Sequence, residues 1–246
     1  MKSMEIQDIT IYIEDDHFLV AEKPSGIATQ PLKNSSSPSL AARLAKDFPE
    51  LKNVGGSDWG AVHRLDVDTS GLVIFARDQK TYDYFRKAFS SNKIEKEYRA
   101  LVQGHIEKPG KITWPIGSDP KSAKRVKVFK DKKDAIRNKA QEAMTFYKPV
   151  GATLRGCPEI NVPTLSGQAQ GPAPTTWLSV HIKTGRRHQI RAHLAAAGYP
   201  IVGDALYGKK EEIKDTRLHL HAYRLQFSHP DSRETIQVIS NYAISL

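Results

Sequence analysis

The sequence predicts an α+β fold. Apolar runs short enough for strands recur from Ile9 to Ile239, and only a few segments carry helical spacing. Neither an internal repeat nor an interior linker divides the chain, so residues 1–246 are expected to form one domain around a shared core.

The elements follow in order. Ile9 to Ile13 and Phe18 to Lys23 are read as strands about the turn-like Glu14-Asp15-Asp16, and Pro24-Ser25-Gly26 then breaks the chain. Pro38 to Phe48 has helical spacing at Leu40, Leu44 and Phe48. Leu72 to Ala76 is a continuous apolar run, the pattern of a buried strand. Tyr82, Phe85 and Phe89 share one face of a helix, with Lys80, Arg86 and Lys87 elsewhere. Glu97 to Val102, Ala143 to Tyr147 and Thr176 to Ile182 read as strands. Arg187 to Ala197 is a helix with Ile190, Leu194 and Ala197 on one face, Thr184 as its N-cap and Gly198 as its stop. His219 to Phe227 and Thr235 to Ile239 close the chain as strands. Gly151 to Pro174, rich in Gly and Pro, is expected to be a long surface excursion.

Composition narrows the function. No apolar run is long enough to span a bilayer, and Met1-Lys2-Ser3-Met4-Glu5 lacks the apolar core of a signal peptide. The single cysteine, Cys157, allows no internal disulfide. A cytoplasmic protein is expected. Lys and Arg total 37 against 27 Asp and Glu, a net charge of +10, which favours polyanionic partners. The basic run from Lys121 to Lys139 is either a solvated hairpin or loop, or an arm lying along a phosphate backbone.

Three constellations could carry chemistry. In His63-Arg64-Leu65-Asp66-Val67-Asp68-Thr69-Ser70-Gly71, a calcium loop fails because Arg77 stands where the bidentate carboxylate belongs. A phosphoaspartyl hydrolase would place its aspartates after a buried strand, whereas the apolar strand here follows them. A turn in which Asp68 and Thr69 bond their own backbone is a third reading. The fourth is one reactive carboxylate, Asp66, which needs a cation nearby to stay ionised. Candidate cations lie in Thr184-Gly185-Arg186-Arg187-His188-Gln189-Ile190-Arg191, where a helix start adds free N–H groups and Gly185 lets another chain approach. Arg187 and Arg191 are one turn apart and can face one cleft. In Lys96-Glu97-Tyr98, Tyr98 is either a core aromatic or a platform for an unstacked base. His219 and His221 match no zinc spacing and are read as satisfied structural histidines.

Taken together and in this order, these segments resemble the RluA family of pseudouridine synthases. The resemblance runs from Asp15-Asp16-His17 and Lys23-Pro24-Ser25-Gly26, through the Asp66 segment, Lys96-Glu97-Tyr98 and the Arg191 segment with Ala192-His193-Leu194, to Gly203-Asp204, Leu220-His221-Ala222 and His229-Pro230. It implies a mixed, largely antiparallel sheet split by an RNA-binding cleft, with helices on its outer faces. Asp66 would be the catalytic aspartate, Tyr98 would pack on the target uracil, Arg191 would pair with Asp66, and Arg64 would fill the gap left by the flipped nucleotide. His63, Thr69, Arg186, Arg187, His188 and Gln189 are the further residues expected to bind substrate. The implied partner is ribosomal or transfer RNA, with no metal or other cofactor and no membrane, and the implied state is a monomer. Many relatives carry an N-terminal S4-type module. Here the catalytic segment begins within the first residues, so a stand-alone catalytic domain is expected. An RNA-binding protein without catalysis is the alternative, which the presence of Asp66, Tyr98 and Arg191 disfavours.

Overall fold

The computed structural model describes residues 4–6, 9–32, 37–150, 174–208 and 217–242. The expected excursion at 151–174, with Cys157, lies outside the described residues apart from Pro174.

The chain opens with β1 (Met4–Ile6), β2 (Ile9–Glu14) and β3 (Phe18–Lys23), which form an antiparallel meander. Helix α1 (Leu40–Leu44) is capped by the Ser39 hydroxyl, which accepts from Ala42 N–H. It is shorter than the apolar spacing suggested: Ala45 is its C-cap, and Phe48, before Pro49, lies outside the helical region. Strand β4 (Ser70–Ala76) is buried on both faces and pairs antiparallel with β3. Asp78 caps α2 (Gln79–Ser90) by accepting from Thr81 N–H, and the helix buries Tyr82 and Phe85.

Next come β5 (Glu95–Gln103), the short β6 (Gly110–Ile112), the hairpin of β7 (Ile116–Asp119) and β8 (Ser122–Val128), and α3 (Lys132–Arg137). The basic stretch is therefore half hairpin strand and half short helix. Strands β9 (Thr145–Pro149) and β10 (Thr175–Ile182), helix α4 (Gln189–Ala196), β11 (Leu220–Ser228) and β12 (Thr235–Ile239) complete the described fold.

The main sheet runs β1-β2-β3-β4-β11-β5-β10-β9-β6, with β12 also on β11. Every ladder is antiparallel except β4–β11, which is parallel and only two residue pairs long, Ser70 with His221 and Gly71 with Ala222. Beyond those pairs β11 takes β12 as its neighbour instead. The sheet is thus two halves joined at a short seam. Gly71 sits in the seam at a φ of 120°, and a Cβ there would collide with the backbone of Ala222. Apolar side chains pack on both faces. One core holds α1, α4 and the inner side of β5 and β10, and the other holds Phe18, Leu72, Ile74, Tyr82, Phe85 and Phe227.

Candidate active site

Asp66 lies in the turn that leads into β4, immediately before the seam. Thr69 N–H donates to the Asp66 carbonyl at 3.1 Å and closes the turn. Lys23 anchors it from beneath. This lysine is fully buried at the end of β3, and its ammonium donates to the carbonyls of Pro24, Ile27 and Val67 at 2.9, 2.7 and 2.9 Å. Burial pulls its pKa down to about 8, against the opposing pull of Asp68 and Asp66. Gly26 N–H and the Ser25 hydroxyl donate to the carbonyls of Val67 and Asp68, so the Pro24–Ile27 segment fixes the turn on a second side.

The Asp66 side chain is 27% exposed, enough to meet a ligand. Arg191, on the first turn of α4, brings Nη1 to 3.5 Å from Asp66 Oδ2. Its short bonds go elsewhere. Nε and Nη2 donate to the two carboxylate oxygens of Asp204 at 2.9 and 2.8 Å. Burial raises and Arg191 lowers the Asp204 pKa, and the net result lies below the usual carboxylate range. Asp204 also accepts from the N–H groups of Leu206 and Tyr207. The expected pairing of Arg191 with Asp66 is present, and this fork is what the sequence reading missed. Arg191 is first the partner of Asp204 and second a neighbour of Asp66.

Tyr98, on β5 directly opposite Ala222 of β11, is buried beside the same cavity. Burial, with the Asp66 charge added, raises its phenol well above the ordinary value, so it stays protonated at neutral pH. Asp66, Tyr98, Arg191, Arg64, Thr69 and His188 all line a cavity of about 90 Å³. A larger one of about 650 Å³ shares Arg64 and Tyr98 and extends to Arg86 and Lys96. Arg64 is exposed at the boundary of the two and has no hydrogen-bond or ion-pair partner among the described residues.

The remaining expected substrate residues divide. Gln189 is buried with its amide fully used: Oε1 accepts from Thr184 Oγ1 and Arg186 N–H, and Nε2 donates to Met144 O and Thr145 Oγ1. It is a structural staple and has no donor left for RNA. His63 accepts from Ile74 N–H at Nε2, and burial, with Lys96 and Arg86 adding, drives its pKa down to about 3. It forms cavity wall as a neutral ring. Thr69 is 3% exposed and its hydroxyl is sealed from solvent. Arg187 donates to the carbonyls of Ala123 and Arg125, clamping β8, while still lining a cavity with Arg191 and Asp66. Arg186 is exposed and donates to Glu142 O. Thr184 does not cap α4. His188 holds the N-cap position at a φ of 52°, and a Cβ at Gly185 would meet only open space. His188 comes to 3.9 Å from Asp66.

Away from the site, His221 bonds Ser70 and Ser240 through its two nitrogens, as expected of a structural histidine, whereas His219 Nδ1 is buried without a partner. Among the described residues no group of acidic, His or Cys side chains is arranged to hold a metal, and no helix is long and apolar enough to cross a membrane.

Residues 17–196 match the family model described as RNA pseudouridylate synthase. An uncharacterized RNA pseudouridine synthase of Mycobacterium bovis is 30% identical over 99% of this chain and 72% of its own length. The dual-specificity RNA pseudouridine synthase RluA of Vibrio parahaemolyticus is 33% identical over 90% of this chain and 78% of its own length. The solved structure of human RNA pseudouridylate synthase domain containing 1 superposes with a TM-score of 0.71 at 22% identity, covering 98% of this chain and 86% of that one, which supports the fold. The chain belongs to the RNA pseudouridylate synthase family and is an RNA pseudouridine synthase, an isomerase that acts on uridine in RNA.

Proposed function

We propose that Asp66 is the catalytic carboxylate and that it acts on a uridine extruded from folded ribosomal or transfer RNA. The observation that carries this reading is the placement of one partly exposed carboxylate between a buried guanidinium, Arg191, and a buried aromatic, Tyr98. The reaction breaks the N-glycosidic bond, turns the base and rejoins it through carbon. A stacked uridine cannot be reached by the carboxylate, so extrusion is required. Tyr98, held as a neutral phenol, offers a face for the uracil. Arg64, unpaired among the described residues at the cavity mouth, is suited to occupy the place the nucleotide leaves.

Grip on the RNA is assigned to the hairpin and α3. Lys121, Lys124, Arg125, Lys127, Lys130, Lys132, Lys133, Arg137 and Lys139 are all exposed there. Phosphate contacts of this kind position an RNA without reading its sequence. The chemistry is carried by side chains alone, in a monomer with one catalytic domain working in the cytoplasm.

Mapping pseudouridines in ribosomal and transfer RNA from cells with and without the gene tests this. At least one site should vanish on deletion and return with wild-type protein but not with Asp66→Asn. Return of the site with Asp66→Asn would remove Asp66 from its role.

A further inference from the structure

His188 and Tyr207 are not explained by the carboxylate, the aromatic and the guanidinium, yet they join the cavity to the basic hairpin by an unbroken chain of bonds. Val126 N–H, on β8, donates to the Tyr207 hydroxyl at 2.8 Å. The phenol oxygen is therefore occupied as an acceptor, and its own proton is free to go to the next atom, His188 Nδ1, at 3.1 Å. A ring whose Nδ1 accepts must, when neutral, carry its proton on Nε2. Nε2 is the atom that faces Asp66 Oδ1 at 3.9 Å. That gap is too long for a hydrogen bond, so the Nε2–H remains a donor beside the carboxylate, available to an oxygen of a bound nucleotide.

Five further contacts hold the arrangement. Arg187 donates to the carbonyls of Ala123 and Arg125, on the β8 stretch that carries Val126. Arg125 and Arg191 stand over the Tyr207 ring at 5.0 and 5.6 Å. Asp204, which grips Arg191, also accepts from Tyr207 N–H at 3.0 Å. Burial chiefly holds the His188 pKa below its ordinary value, with Arg191 and Arg187 acting the same way and Asp66 and Asp204 opposing, so the neutral ring is the resting form.

We propose that Tyr207 is a positioning residue that locks His188 in the Nε2–H form, so that this donor and Asp66 together receive the target nucleotide and the RNA-gripping hairpin is tied to the reacting centre. This deepens the reading in which Asp66 is catalytic and rests on it. The coupling is mechanical. Any shift of β8 under bound RNA moves Val126 N–H, and with it the hydroxyl that sets the imidazole tautomer.

The test has two arms, both on the full chain. In the first, ¹⁵N spectra of the wild-type imidazoles, assigned with His188→Gln, read the tautomer directly. Nδ1 should be unprotonated and Nε2 protonated, and Tyr207→Phe should give a mixture. In the second, single-turnover conversion is followed on total RNA purified from cells lacking the gene, at the uridine that mapping identifies. Gln and Met at position 188 share the backbone strain of a positive φ and a similar volume, but only Gln ends in a donor. We expect His188→Met to slow conversion about a hundredfold, Tyr207→Phe about tenfold, and His188→Gln to stay within about fivefold of wild type, with RNA affinity moved less than about twofold throughout. A protonated Nδ1 in the wild type, or equal rates for the Gln and Met variants, overturns the proposal. If Asp66→Asn is inert while His188→Met reacts at the wild-type rate, only the His188 inference falls. If Asp66→Asn reacts normally, the underlying reading falls with it.

Discussion

Two collections of charge among the described residues are built on opposite principles. Around Asp66 the cation is buried and committed: Arg191 is 2% exposed and forked onto Asp204, whose side chain is fully buried. Along β8 and α3 the cations are exposed, and their partners are aromatic rings or chain neighbours, such as Lys130 over Trp114 at 4.5 Å and Arg137 on Asp134. A buried pair is held by its own desolvation, since losing one member strands the other. An exposed cation costs little to leave unpaired and stays free for phosphate. Fixed charge suits a site where atoms must be placed to a fraction of an ångström. Loose charge suits a surface that meets a long polyanion.

The contrast can be broken from either side. The largest effect is expected from Asp66→Asn, which should cut single-turnover formation of pseudouridine by more than about a thousandfold, because neutralising the carboxylate removes the group proposed to react. Binding of the same RNA, measured by filter retention, should change less than about threefold, since the phosphate-binding cations lie elsewhere.

Next come Arg191→Met and Asp204→Asn. Each leaves a buried polar or charged partner unmatched and should cost about 3–5 kcal/mol of unfolding free energy in urea titrations. The double variant should cost clearly less than the sum. Additive losses would mean that the fork contributes nothing as a pair.

On the exposed side, replacing Lys124, Arg125, Lys127 and Lys130 together with Ala should weaken RNA binding and flatten its salt dependence. Every cation that pairs with a phosphate and is removed lowers the slope of log affinity against log salt by about 0.7–0.9. The conversion rate at saturating RNA should hold unless Arg125, stacked on Tyr207, is the residue responsible. Restoring Arg125 alone in that background separates the two. An unchanged slope would make the stretch a solvated surface.

The smallest effect concerns His221, a histidine buried in the seam. Burial, helped by Arg217, lowers the His221 pKa to about 3, and the neutral ring bonds both Ser70 and Ser240. A depressed folded pKa means that the unfolded chain binds the extra proton. Stability is therefore whole above the unfolded value near 6.5 and falls as pH drops from there toward 3. Each such histidine adds up to about 1.4 kcal/mol per pH unit to that slope. His221→Gln should remove one proton from the linkage, read as a shallower loss of stability between pH 6 and 4.

Much of this was legible in the sequence because the signals are local. Phe18–Lys23 and Thr235–Ile239 match the strands read from apolar spacing alone, and Gly198, at a positive φ, ends the helix it was expected to stop. Asp66, Tyr98 and Arg191 stand in motifs that mark them. What sequence could not supply was partnership. Gln189 looks as available as Arg186 until its four bonds are seen, and Lys23 looks like a surface residue until three carbonyls close on it. Asp204 sits 13 residues from Arg191, beyond any helical period, so nothing local announces the fork. Strands β1 and β6 are three residues each and form only against neighbours already in place.

The seam between β4 and β11 sets an order of assembly. The turn bearing Asp66 is complete only when Ser70 and Gly71 lie beside His221 and Ala222, and that pairing spans about 150 residues of chain. Closing so long a loop is slow, and strand pairs of that separation tend to form after local hairpins such as β2–β3. The β1–β4 strands can therefore pair early while the inner edge of β4 remains open, and both apolar cores are completed only when β5, β10 and β11 add their side chains. On a growing chain the pocket does not exist until β11 has been made, so a fragment ending before Leu220 would hold Asp66 and Arg191 without ever bringing them together.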